Sequence, residues 1–138
     1  MINPERFSAA WPALPESVPA ARHAVLRYLR AVDTADPPLN DIGLAVSEAV
    51  TNAVNHAYVD RDPGDVRVQV KLGTDELELT VEDDGRGMLP RPDSPGLGLG
   101  LPLIATVADR FDTATEPGGG TRICAWFSRG GAAATLPA

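Results

Sequence analysis

The chain has 138 residues, 43% hydrophobic and 22% charged, with a net charge of −7 and a pI near 4.7. That length suffices for one domain with a core that needs no disulfide or metal, and a single cysteine, Cys124, excludes an internal disulfide and fits a reducing compartment. The acidity argues against a nucleic-acid partner, which needs clustered Lys and Arg, and no apolar run reaches the roughly 18 residues of a membrane helix.

Residues 1–18 carry Pro4, Pro12 and Pro15 among scattered apolar side chains and predict an extended lead-in with a short edge strand. Their opening, MINPERFSAAWPALPE, lacks the basic and apolar regions of a signal peptide, so a cytoplasmic location and no membrane contact are expected. From Pro19, Ala21, Val25, Leu26, Leu29 and Val32 recur at helical spacing. Thr34–Pro38 ends that helix and starts another.

The second helix, about Leu39–Tyr58, places Ile42, Val46, Ala49, Val50, Ala53 and Ala57 on one broad face. At 100° per residue Asp41, Glu48, Asn52 and Asn55 converge on the opposite side, within about 60° of arc. Asn is a poor helix former, so two inside one helix point to a chemical role.

DVRVQVKL (65–72) and ELELTVED (76–83) alternate strictly around the turn Gly73–Asp75 and predict an antiparallel hairpin with one buried face. The only lysine, Lys71, falls on its polar face and reads as solvated. Leu99–Phe111 is helical by pattern, with Leu103, Ile104, Val107, Ala108 and Phe111 in register. A strand near 111–115, a Gly-Gly-Gly-Thr turn and a last strand at 121–128 follow. The expected architecture is an α+β two-layer sandwich, with helices packed on one face of a mixed, mostly antiparallel sheet. Residues 1–128 form the single domain, and the Ala- and Gly-rich tail 129–138 is expected to fray.

Four short segments carry chemistry. Glu48 and Asn52 stand one turn apart on one helix face, a carboxylate beside an amide oxygen suited to Mg²⁺. Asp83-Asp84-Gly85-Arg86-Gly87 ends a strand on clustered charge and then crosses on glycines. Gly96-Leu97-Gly98-Leu99-Gly100-Leu101 opens a helix, where backbone N–H groups face an anion. Gly118-Gly119-Gly120-Thr121 is a turn whose hydroxyl reaches toward a phosphate. The spacing matches neither the dinucleotide fingerprint nor a P-loop.

In this order the four segments resemble the boxes of the GHKL superfamily, the histidine-kinase-like ATPase (Bergerat) fold, over about residues 10–128. LAVSEAVTNAVNHAY (44–58) and GLGLPLI (98–104) look most like the anti-sigma-factor serine/threonine kinases of the RsbW type. The resemblance implies ATP and Mg²⁺ as cofactors, with Glu48 as general base toward a Ser or Thr hydroxyl and Asn52 as the metal ligand. It also implies that Asn55 lines the pocket and Asp83 accepts the adenine amine. Gly85 and Gly87 would admit the base, Gly98, Leu99, Gly100 and Leu101 would surround the phosphates, and Thr121 would bond near the nucleotide. The implied partners are a STAS-like anti-sigma-factor antagonist, a sigma factor and a second copy in a homodimer.

Two features depart from that family. The segment between Gly87 and Gly98 is short and stiffened by Pro90, Pro92 and Pro95, and Pro95-Gly96 stands where an acidic–basic docking pair is expected. Arg86 and Arg91 are alternative sources of phosphate charge. A nucleotide-dependent protein-binding switch without kinase activity is therefore the alternative expectation.

Overall fold

The alternation of residues 65–83 becomes a hairpin in which β2 (Asp65–Leu72) and β3 (Glu76–Asp83) pair antiparallel. Val66, Val68 and Val70 of β2 and Leu77, Leu79 and Val81 of β3 are all buried on its inner face. The computed structural model describes residues 5–32, 37–86 and 101–129 of the chain. Within them β1 (Arg6–Pro12) borders β2, and β5 (Thr121–Ser128) lies between β3 and β4 (Arg110–Thr115). All four ladders are antiparallel. The sheet is thus antiparallel rather than mixed among the described residues. β3 and β4 run the same way, but β5 separates them.

Ser17–Val32 forms α1, which starts two residues before Pro19. Proline lacks an N–H, but the first helical turn has no intrahelical use for one, so Pro19 sits there without cost. Ser17 anchors that start, its backbone N–H on the Leu14 carbonyl at 2.9 Å and its Oγ on the Pro12 carbonyl at 2.6 Å. α2 (Leu39–Asn52) follows and continues as a π-helical turn, Ala53–Ala57. The two helices cross at Gly43, where a Cβ would come within 3.3 Å of Leu26, and Arg22 donates to Ser47 Oγ at 2.9 Å beside that crossing.

The core lies between these helices and the sheet. Ile42, Val46, Ala49 and Val50 of α2 are buried in one cluster with the β2 and β3 residues and with Ile123, Ala125 and Phe127 of β5. Each large aliphatic or aromatic side chain there contributes about 1.5–3 kcal/mol by leaving water.

The third helix is shorter than its pattern predicts. α3 spans Leu101–Val107, with Leu101 and Ile104 buried but Leu103 47% exposed. Leu103 therefore leaves the expected core face, and Phe111 belongs to β4. The Asp109 N–H bonds the Trp126 carbonyl at 2.8 Å and turns the chain into that strand. No described helix is long and apolar enough to cross a membrane.

Candidate functional site

Strand register builds one row of side chains across the end of the sheet that faces the helices. Val66 stands opposite Asp83, Asp83 opposite Thr121, and Thr121 opposite Thr115. Asp83 and Thr121 are 4% and 3% exposed, which makes this row the polar end of an otherwise apolar face. Asp83 Oδ1 accepts the Gly85 N–H at 2.9 Å. Burial pushes the Asp83 carboxyl up, the backbone at Gly85 and Thr121 holds it down, and Asp84 adds a smaller rise that Arg67 opposes. No salt bridge engages Asp83 among the described residues. A buried carboxylate with acceptor capacity to spare is a strong reader of a ligand N–H, because a mismatched ligand leaves it unsatisfied.

The turn after Asp83 is tied down residue by residue. Asp84 forms a two-pronged pair with Arg67, at 2.8 and 3.1 Å, and the Arg67 guanidinium lowers its pKa. Tyr58, just beyond the π-helical turn, accepts the Asp84 N–H at 2.9 Å and donates its hydroxyl to the Asp65 carbonyl at 2.8 Å. A Cβ on Gly85 would overlap the Ala57 backbone. A Cβ on Gly120, whose φ is +87°, would overlap the Asp83 carbonyl. At Gly85, then, the immediate demand on a glycine comes from the helix end.

Glu82 points to the sheet's other face and is half-buried. Burial raises its pKa first and the neighbouring Glu116 carboxyl second, against Arg67 and Arg122. Arg122 approaches Glu116 at 3.3 Å, an ion pair whose geometry is too poor for a hydrogen bond.

On the helix side Asn52 is buried at 7% exposure and Glu48, one turn earlier, is half-buried. Asn55 does not join them as a 100° step predicts. It is exposed and lies in the π-helical turn, whose wider winding carries it away from the Glu48–Asn52 line. Leu101 is buried at the start of α3, while Gly87, Gly98, Leu99 and Gly100 lie outside the described residues. Among the described residues no three His, Cys, Asp or Glu side chains could jointly hold a metal. The donor set near Asn52 still fits Mg²⁺, which takes one or two protein oxygens and fills the rest of its shell with water and phosphate.

Sequence reasoning does not reach Tyr58 or Arg67, whereas Gly120 belongs to the Gly-Gly-Gly-Thr turn that it singles out. Arg67 required the register that sets it opposite Glu82, and Tyr58 required knowing where α2 ends relative to β3.

A layer of helices covers one face of an antiparallel sheet and this acid is buried at a strand end, and the chain belongs to the histidine kinase-like ATPase domain family, whose model matches residues 11–126. Its particular likeness is to anti-sigma F factors. It is 29% identical to that of Clostridium beijerinckii over 133 residues, covering 88% of this chain and 93% of the relative. It is 35% identical to that of Clostridium novyi, covering 75% of this chain and 80% of the relative. The fold also matches the crystal structure of the RsbU and RsbW domains of a Mycobacterium tuberculosis protein, with a TM-score of 0.67 at 22% identity. That match covers 90% of this chain and 32% of the longer one.

Proposed function

We propose that this protein is an ATP-binding regulator of the anti-sigma-factor type, which phosphorylates a Ser or Thr of an antagonist protein and sequesters a sigma factor. The observation that carries the reading is the buried Asp83, free of salt bridges among the described residues and in one row with Thr121. Asp83 accepts the adenine amino group, and the Thr121 hydroxyl bonds the nucleotide beside it. Asn52 supplies an oxygen to Mg²⁺, which when bound neutralises phosphate charge. Asn55 reaches the ligand only from the rim.

Glu48, one turn before Asn52, takes the proton from the acceptor hydroxyl. That oxygen forms its bond to the γ-phosphorus as the bond to the β–γ bridging oxygen breaks, and ADP leaves. Catalysis of this kind rests on positioning and charge stabilisation. Gly98 and Gly100 cradle the phosphates, and the protein works as a cytoplasmic homodimer.

A switch that binds nucleotide and partner without transfer is the second reading, favoured by the short, proline-rich stretch between Gly87 and Gly98. One experiment separates the two. The protein is titrated with ATP and Mg²⁺, then incubated with labelled ATP and candidate antagonists from the same genome. Binding with transfer supports the kinase, binding alone supports the switch, and no binding refutes both.

A further inference from the structure

The last four carbonyls of a helix have no partners within it. Here that end is the π-helical turn Ala53–Ala57, and one residue of another element takes two of its carbonyls. The Arg86 backbone N–H donates to the Ala57 carbonyl at 2.9 Å, and Arg86 Nε donates to the His56 carbonyl at 3.1 Å. Gly85 lies against the same turn so closely that a Cβ would overlap Ala57. The Gly85 N–H in turn holds Asp83 Oδ1. A continuous path therefore runs from Asn52 through His56 and Ala57, across Arg86 and Gly85, to the Asp83 carboxylate. The guanidinium also lies at the negative end of the helix dipole, which favours a cation there.

We propose that Arg86 is a positioning residue: its Nε, bonded to the His56 carbonyl, sets the separation between the Asn52 side of the site and Asp83, so that one nucleotide meets both. This inference rests on the ATP-binding reading above. It assigns the side chain to the helix end through its Nε–H, and the charge is incidental to that role.

Three variants separate the donor from the charge. In Arg86→Gln an amide nitrogen can occupy the place of Nε without charge. In Arg86→Lys the charge stays, but a methylene occupies that place. Arg86→Met removes both. The readouts are the dissociation constants for Mg²⁺–ATP and for adenosine, which meets only the Asp83 side, together with thermal melts.

The expected result is that the Gln variant binds ATP like wild type, while the Lys and Met variants weaken about tenfold, the size of one ordinary intramolecular hydrogen bond. Adenosine affinity stays the same in all four proteins. Rescue by Lys with failure of Gln would make Arg86 a phosphate contact and overturn the proposal. Equal loss for ATP and adenosine, or lowered melting with an unchanged ratio of the two, would reduce Arg86 to a scaffold residue and overturn it too. A wild-type protein that binds no ATP would refute the nucleotide reading first and this inference with it.

Discussion

Replacing Asp83 by Asn exchanges one oxygen for an NH₂ at nearly constant volume, in a side chain only 4% exposed. The Gly85 N–H fixes the consequence, because it needs an acceptor and holds the amide oxygen where Oδ1 now sits. The NH₂ is then left pointing at the ligand. An adenine amine arriving there meets a donor in place of an acceptor. Losing the charged hydrogen bond costs about 1.5–3 kcal/mol, and stranding a buried donor a further ~1–3 kcal/mol. ATP affinity should therefore fall roughly 100-fold or more. GTP carries a carbonyl where ATP carries its amine, so the variant should narrow or reverse the preference for ATP. Calorimetric titration of both nucleotides at fixed Mg²⁺ reads this directly. An Asn variant that binds ATP within about threefold of wild type would refute the assignment of Asp83, since no buried charged hydrogen bond is that cheap.

The same substitution has a stability signature with a definite sign. Burial raises the Asp83 carboxyl above its usual range in the folded protein. The native state then holds more protons than the unfolded chain between the ordinary carboxylate pKa and the raised one. The stability this group contributes is fully present below the unfolded value and is lost as pH rises through the folded one. Asn has no such loss. Melting temperatures of wild type and Asp83→Asn should diverge in the variant's favour across that interval and run parallel above it. Over the same rise in pH, wild-type affinity for ATP should increase, because the carboxylate is the better acceptor.

Two further substitutions test the other side of the site. Glu48→Gln should lower phosphate transfer by at least about 100-fold, the low end of what a positioned base supplies, with ATP affinity little changed. Transfer that survives intact would remove Glu48 from the base role. Gly85→Ala should destabilise the fold by about 1–3 kcal/mol or more, because its methyl group overlaps the Ala57 backbone, and urea midpoints measure the loss. An unchanged midpoint would mean that the turn and the helix end are not in the contact described.

How much of this was legible beforehand depends on the range over which each feature is encoded. The hairpin and its buried face are plain in the period-2 alternation of residues 65–83, while the pairing of Arg67 with Glu82 comes only from the structure. Apolar spacing starts α1 at Pro19, two residues late, because the hydrogen bonds of Ser17 to the Leu14 and Pro12 carbonyls leave no mark on that spacing, and it carries α3 too far because Phe111 continues an apolar period that a tertiary hydrogen bond interrupts. The π-helical turn leaves no mark on local spacing, so Asn55 was placed with Glu48 and Asn52 by a rotation that the backbone does not keep.

The run Glu82-Asp83-Asp84 shows most clearly why composition could not finish the reading. Three adjacent carboxylates look like one patch of repulsion, yet the fold sends them to three environments. Strand alternation turns Glu82 to the outer face near Glu116 and Arg122, and Asp83 inward to the row with Thr121. The turn then delivers Asp84 to Arg67. An exposed pair such as Arg67–Asp84 is worth at most about 1 kcal/mol of stability. What it does is separate charges. With Asp84 neutralised from outside, Asp83 can remain buried without a counter-ion of its own, which is the condition for a carboxylate that must keep its acceptor free until a ligand arrives.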